Sequence, residues 1–189
     1  MLSTAPGPFL FDTSAESWLA RTKDAPAQDW FVGYLSRHRV NVSAITVIER
    51  VRGYALLRQT VQPERRQEIE EARIAYLSGL GNVLETDAAV AVVGGEIVAL
   101  LPHPPTPPRR AHQLVESRQD RLVRWRFDCI IAATALVTGL PLIHNNAADF
   151  EPIRGAVECN PDRFPGLGPL ELIRCASVIL KGAPTIRAD

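Results

Sequence analysis

The sequence predicts an α/β sandwich with a mainly parallel central sheet. Short apolar runs, typical of buried strands, alternate along the 189 residues with longer segments of helical periodicity. Strands separated by helices favour parallel pairing, because each return to the sheet needs a crossover element. Hydrophobic residues make up 46% of the chain and charged residues 22%, as in ordinary globular proteins. A chain of this length fits one domain, which we expect over residues 8–180.

The first third of the chain contains two predicted strands, each followed by helical segments. Residues 8–11 form a short apolar run that ends at Asp12. Thr13 and Glu16 have the spacing of a capping box, which predicts Thr13 as the N-cap of the first helix. The next predicted elements are a helix over 28–39, a strand over 40–45 and a helix over 46–59.

The remaining apolar segments predict further helices and short strands. A helix is predicted over 63–79, with Pro63 in its first turn. Asp87 is expected to cap a helix over 88–101. The segment that begins at Asp128 is apolar all round, so its helix should be central. The other predicted elements are strands over 83–85, 142–143, 172–173 and 178–180 and a short turn beginning at Asp149.

Residues 102–126 combine a proline-rich run with an arginine-rich stretch of helical propensity. Arginine binds phosphate and aromatic rings stack on bases, so this stretch could bind RNA. A solvated helix is the alternative, because Glu116 and Asp120 lie among the arginines. The RNA-binding interpretation uses Arg109, Arg110, Arg124, Trp125 and Arg126.

The overall composition argues against several classes of protein but does not identify a binding partner. Lys plus Arg and Asp plus Glu are both 21, so the balanced charge neither requires nor excludes nucleic acid. Three widely spaced cysteines without a CxxC pair argue against a disulfide framework or a structural zinc site. No apolar run approaches the ~20 residues of a membrane span. With no signal peptide visible over residues 1–8, we expect a cytoplasmic protein without membrane association.

Acidic residues recur at the edges of the predicted core elements. Asp12 follows a strand, Asp128 opens an apolar helix, and the loop over 144–149 follows another strand. Because the carboxyl ends of parallel strands meet at one edge of a sheet, these residues can converge on one pocket. Buried carboxylates need a partner, and oxygen ligands suit a hard cation such as Mg²⁺ or Mn²⁺. The pattern therefore predicts a metal-dependent phosphodiesterase.

Four segments in order give this prediction a family context. They are residues 9–14 (FLFDTS), 45–53 (ITVIERVRG), 128–135 (DCIIAATA) and 139–150 (GLPLIHNNAADF), and with loose matching between them they cover most of residues 8–153. Together they resemble the PIN-domain ribonucleases, most closely the toxins of VapBC-type toxin–antitoxin pairs. The resemblance implies a PIN-like, three-layer α/β/α sandwich.

The resemblance also implies a site and a reaction. Asp12, Glu49 and Asp128 correspond to the acidic cluster that binds Mg²⁺ or Mn²⁺, and the reaction would be hydrolysis of RNA. A fourth family position maps to Asn146, where an amide stands in place of a carboxylate, so either Asn146 or Asp149 could complete the site. Further side chains that could line the site are Thr13 and Ser14, which could hydrogen-bond a ligand, and His144, which could donate to a phosphate oxygen.

The same resemblance implies partners, and it also shows where this chain differs from the family. It implies a homodimer and a small antitoxin whose basic or aromatic segment enters the acidic cleft. The segment over 102–126 and the tail over 155–189 are longer than the family usually carries. A catalytically silent PIN-like module that binds RNA or protein is the alternative. A phosphotransferase with Asp12 as nucleophile is disfavoured, because Ser14 stands where such enzymes need a second Asp.

Overall fold

A parallel sheet of five short strands lies at the centre of the described residues, which are 7–107, 110–111 and 114–177 of a computed structural model. The spatial order is β3-β2-β1-β6-β7, with every neighbouring pair parallel, and β4 and β5 form a separate antiparallel pair. This confirms the predicted fold class. The strands are β1 (Leu10–Phe11), β2 (Asn41–Ser43), β3 (Asn82–Leu84), β4 (Arg110–Ala111), β5 (Leu114–Val115), β6 (Leu142–His144) and β7 (Leu172–Arg174).

The helices begin at polar residues that cap them. The side chains of Asp12, Ser43, Asp87 and Ser117 each accept a hydrogen bond from a backbone N–H three residues on. These bonds satisfy amides that have no partner inside the helix. The α-helices are α1 (Thr13–Leu19), α2 (Ala25–Leu35), α3 (Ala44–Thr60), α4 (Arg66–Ser78), α5 (Ala88–Leu100), α6 (Arg118–Thr138) and α7 (Ala147–Cys159), with 3₁₀ turns at Pro63–Arg65 and Pro161–Arg163.

Two apolar clusters cover the two faces of the sheet. Leu10 and Leu142 belong to one cluster, which α5, α6 and α7 complete. The next residues along these strands, Phe11 and Ile143, belong to the other cluster, which α1 and α2 complete. Successive strand residues point to opposite faces, so each short strand contributes to both layers. The result is the three-layer α/β/α arrangement implied by the resemblance.

Helix α6 joins two segments that the sequence predicted as separate. It begins at Arg118, so Asp128 lies ten residues inside it and the predicted start at Asp128 is wrong. The change from charged to apolar composition marks the passage of one helix into the core. Gly139 ends the helix with φ 67°, a left-handed conformation that favours glycine. Upstream, β4 and β5 occupy part of a stretch that was expected to be helical.

Three other local predictions differ from the structure. Asp12, rather than Thr13, caps α1. The turn predicted at Asp149 is the first turn of α7. Helix α2 begins three residues earlier than predicted, with a proline in its first turn, and ends at Leu35. The predicted strand over 178–180 lies outside the described residues.

The thickness of a bilayer sets a minimum length for a helix that spans it. Among the described residues, no helix combines that length with the apolar character needed to cross a membrane.

Candidate functional site

The sheet edge at the carboxyl ends of β1, β2 and β6 forms one side of a large cavity. Asp12 directly follows β1, Glu49 lies in the second turn of the helix after β2, and Asn146 follows β6. The central strand β1 lies between the other two, so these ends are neighbours. Asp128 reaches the same cavity from α6. The cavity measures about 1090 Å³, and the sequence-predicted acids Asp12, Glu49 and Asp128 all line it.

Asp12 is buried but well bonded. Its side chain is only 4% exposed. The backbone N–H of Ala15 donates to Oδ1 at 2.6 Å, and the Ser14 hydroxyl donates to Oδ2 at 2.7 Å. Burial raises the pKa of Asp12 to about 6, although these two hydrogen bonds act to lower it. The nearby charge of Glu49 also raises the pKa. Asp12 is therefore held in place by α1 in an environment that disfavours its negative charge.

Thr13 connects α1 to α3 at the edge of the cavity. Its hydroxyl donates a hydrogen bond to Oε2 of Glu49. This contact explains why Thr13 is not the N-cap: its side chain points across to α3 while Asp12 caps the helix. Glu49 is half-buried, and Thr13 fixes the position of its carboxylate.

Asp128 has the least satisfied carboxylate of the site. It is 8% exposed, and its Oδ2 has no hydrogen-bond partner among the described residues. Burial raises its pKa well above the ordinary value, and the negative charges of Asp149, Glu49 and Asp12 raise it further, while Arg124 opposes the rise. A buried acceptor without a donor destabilises the fold unless a ligand satisfies it.

Asp149 lies behind the cavity wall and is saturated by internal donors. It is 1% exposed. Thr106 Oγ1 donates to Oδ1 at 2.7 Å, while Arg124 Nη1, at 3.0 Å, and the Asn146 amide both donate to Oδ2. The other two nitrogens of Arg124 hold both oxygens of Glu116, each at 3.0 Å. Of the two candidates for the fourth position, Asn146 lines the cavity and Asp149 supports it from behind.

His144 does not reach the cavity, although the sequence placed it among the lining candidates. It is 1% exposed and its ring packs against Phe150, with centroids 5.3 Å apart. Burial lowers its pKa to about 4, so the ring is neutral near pH 7. His144 is therefore part of the packing beneath the sheet edge.

The fold itself uses part of the arginine-rich segment that the sequence offered for RNA binding. Trp125 is 1% exposed and donates from Nε1 to the Leu101 carbonyl at 2.8 Å, so the prediction that it stacks on a base is wrong. Arg124 lines the cavity, but two carboxylates hold it. Arg126 is exposed. The described residues do not include Arg109 or the side chain of Arg110.

Sequence reasoning missed the supporting cluster around Arg124. Arg124 binds Glu116 and Asp149, and Thr106 donates to Asp149. The three come from separate segments of the chain, so no local spacing identifies them. The one usable signal was the four-residue spacing of Arg124 and Asp128, which places both on one face of a helix.

The cavity acids do not form a closed ligand cage. Within 7–107, 110–111 and 114–177, no three Asp, Glu, His or Cys side chains already have the arrangement that holds a metal ion. The donor set is nevertheless rich in carboxylate oxygens, and Oδ2 of Asp128 lacks a protein donor among those residues. Such a set is suited to a hard divalent cation.

Comparisons with known proteins agree with this architecture. A model of the PIN domain family matches residues 9–154. The tRNA(fMet)-specific endonuclease VapC of Shigella flexneri is 28% identical over 147 residues, covering 78% of this chain and 92% of that protein. DNA-bound VapBC from Salmonella typhimurium is 23% identical, with a TM-score of 0.53 over 88% of this chain and 97% of that one. VapBC2 from Rickettsia felis, bound to a DNA fragment from its promoter, has the same TM-score and coverage at 15% identity.

Proposed function

Because this chain belongs to the PIN domain family, we propose that it is a metal-dependent endoribonuclease that hydrolyses phosphodiester bonds in RNA. The observation that carries the proposal is the buried Asp128 Oδ2, which has no donor among the described residues and shares a cavity with Asp12 and Glu49. The similarity to the tRNA(fMet)-specific endonuclease of Shigella flexneri supports RNA as the substrate class. It also makes tRNA the first substrate to test.

A divalent cation fits the residues of the cavity. Asp12 and Asp128 both have raised pKa values, because burial and neighbouring carboxylates disfavour their charge. A cation among Asp12, Glu49 and Asp128 would offset this repulsion and satisfy Asp128 Oδ2. Both Mg²⁺ and Mn²⁺ accept such oxygen ligands.

We expect one ion per chain rather than two. Asp149 accepts three internal hydrogen bonds, which leaves the cavity without the fourth carboxylate that a second ion would favour. The amide nitrogen of Asn146 is committed to Asp149, so Oδ1 is the Asn146 atom available to a ligand. An amide oxygen is a weaker ligand than a carboxylate.

The residues of the site have separate tasks in this reaction. When bound, the ion would supply a water of lowered pKa and neutralise charge that develops on the phosphate. Asp12, Glu49 and Asp128 would hold the ion. Thr13 would orient the Glu49 carboxylate, and Ser14 and the Ala15 amide would orient Asp12. Arg124 would fix Asp149, and through it Asn146, at the rear of the cavity.

We also propose a biological role, as the toxin of a toxin–antitoxin pair in the cytoplasm. Two solved structures of similar fold are VapBC complexes, which supports a small antitoxin as partner. A basic or aromatic segment of that partner would complement the acidic end of the cavity. We expect the chain to form a homodimer, as implied by the family.

A cleavage assay tests the proposed reaction. The purified full chain is incubated with total tRNA in Mn²⁺ or Mg²⁺ and, separately, in a chelator. Cleavage should require the metal and should be lost in Asp128→Asn. Asp29→Asn makes the same chemical change at an exposed position of α2 outside the cavity, and it should cleave normally. Equal cleavage by wild type and Asp128→Asn would favour the catalytically silent binding module instead.

A further inference from the structure

The cavity continues well beyond the acidic residues. Its long wall is α1, from Asp12 to the residues just after the helix, and Tyr54, Leu57 and Ala72 lie on the opposite side. At about 1090 Å³ it slightly exceeds the ~300–1,000 Å³ that ligand pockets usually occupy. This is more space than one ion and one phosphate require.

The end of the α1 wall that is distant from Asp12 carries positive charge. Arg21 and Lys23 line the cavity there, and among the described residues neither forms an ion pair with a carboxylate. Nε of Arg21 donates to the Ser17 carbonyl at 2.9 Å, and Nη2 donates to the Ser17 hydroxyl at 2.5 Å. Two bonds to one residue therefore fix the Arg21 side chain along the wall.

A second guanidinium, that of Arg50, contacts the same part of the wall and is paired with Glu16. Arg50 Nη1 donates to the same Ser17 hydroxyl at 3.0 Å, and Arg50 Nε is 3.3 Å from Glu16. The rings of Tyr54 and Tyr76 lie against the Arg50 guanidinium, with centroids 5.3 and 4.8 Å away. Glu16 and the two rings thus hold Arg50 in place, and Arg21 and Lys23 retain an excess of positive charge.

The two ends of the wall are separated by a distance that suits a strand of nucleic acid. Asp12 and Arg21 are nine residues apart, which along a helix corresponds to about 13 Å. Trp18 lies between them, half-buried and lining the cavity. Aromatic rings stack on bases of any sequence, and arginine and lysine bind the phosphates of the backbone. Acids, an aromatic ring and cations therefore follow one another along α1.

We propose that the α1 wall binds the single-stranded RNA next to the cleavage position. Arg21 and Lys23 hold a phosphate beyond the scissile one, and Trp18 stacks on an intervening base. The proposal rests on the proposed nuclease function, since it takes the acidic end as the place of cleavage. It assigns recognition of the polyanion to α1 and not to the arginine-rich segment within residues 102–126.

Binding of a fluorescein-labelled 12-nucleotide RNA, followed by fluorescence anisotropy of the full chain in a chelator, tests the site without cleavage. Arg21→Gln/Lys23→Gln should weaken binding about tenfold and reduce the salt dependence by ~0.7 in slope, because one phosphate is no longer neutralised. Arg37→Gln/Arg39→Gln removes the same charge from exposed positions outside the cavity and should stay within about twofold of wild type.

A second pair of variants tests the stacking contact. Trp18→Leu keeps an apolar side chain against the core and should weaken binding by at least about fivefold with an unchanged salt slope. Trp18→Phe should restore most of the affinity. Circular dichroism verifies that each variant is folded.

Three results would overturn the assignment. One is equal loss of affinity in both double variants. Another is unchanged RNA affinity in Arg21→Gln/Lys23→Gln together with weaker binding of an acidic peptide, which would assign the wall to a protein partner. The last is no RNA binding by wild type in the chelator. If metal-dependent cleavage by wild type persists in these cases, the nuclease proposal stands and the α1 site alone is rejected.

Discussion

Asp128 and Asp149 are both buried aspartates near the rear of the cavity, but their surroundings are opposite. Asp149 receives hydrogen bonds from Thr106, Asn146 and Arg124. Asp128 has an oxygen, Oδ2, without a donor among the described residues. A buried charge is costly unless it is paired, so Asp149 is stabilised within the fold and Asp128 is not. We propose that this difference separates a structural carboxylate from a metal-binding one.

The largest expected effect comes from neutralising the unsatisfied carboxylate. Asp128→Asn should reduce metal-dependent cleavage by about 10³-fold or more, because it removes a proposed ligand of the catalytic ion. In a chelator the same variant should be at least as stable as wild type, because it removes a buried charge from a group of repelling carboxylates. Urea unfolding and RNA cleavage measure the two quantities, and a destabilised Asp128→Asn would contradict the comparison.

Asp149→Asn should have the opposite effect on stability and destabilise the fold. It removes one of the two carboxylates that hold Arg124, while Glu116 remains, so we expect a loss of about 2 kcal/mol in the free energy of unfolding. Urea unfolding in a chelator measures this loss directly. A variant as stable as wild type would show that Asp149 is not the structural carboxylate of the pair.

The raised pKa of Asp12 gives the site a pH signature. Because the folded state holds its proton up to about pH 6, against an ordinary value of 3.8, stability in a chelator should fall as pH rises through this window. Relative to Asp12→Asn, wild type should lose about 3 kcal/mol in the free energy of unfolding between pH 4 and pH values above 6. His144 is present in both proteins, so its titration largely cancels in this comparison. Asp128 loses the repulsion of Asp12 in the variant, so its pKa is lower there than in wild type. Parallel stability curves for the two proteins between pH 4 and 7 would refute the prediction.

Substitution of Thr13 should have the smallest effect on the site, because Thr13 contacts Glu49 and would act on the metal ion only through it. Thr13→Val keeps the shape of the side chain and removes the hydroxyl that orients the carboxylate, so metal affinity should fall about tenfold. Thr13→Ser retains the hydroxyl and serves as the matched control. Calorimetric titration with Mn²⁺ measures both affinities, and equal affinities for Val and Ser at this position would exclude the proposed contact.

Local patterns were enough to predict the sheet and the residues at its edge. The run over 8–11 ends at Asp12, and the segment 142–143 precedes Asn146, so strand ends could be recognised from hydrophobicity alone. Glu49 was assigned through the family resemblance, since its position on the border of an apolar face is ordinary for a surface helix. Residues whose role depends on one element were therefore accessible from the sequence.

The predictions from sequence failed in two situations. One is a helix that runs from solvent into the core, and the other is a residue whose hydrogen-bond partners are distant in the sequence. Helix α6 changes from charged to apolar along its length, which suggested a boundary at Asp128 where none exists. Trp125 was taken with the neighbouring arginines, although it shares a helical face with Cys129 and Ala132 and is buried with them. Asp149 and Arg124 acquire their partners only on folding, so their structural role could not be predicted.

Counting Mn²⁺ ions by electron paramagnetic resonance tests the central claim most directly. The claim is that Asp12, Glu49 and Asp128 converge on one divalent ion, while Asp149 belongs to the fold. We predict one tightly bound ion per wild-type chain, one in folded Asp149→Asn, and none in Asp128→Asn. Two ions in wild type, or undiminished binding by Asp128→Asn, would contradict the account.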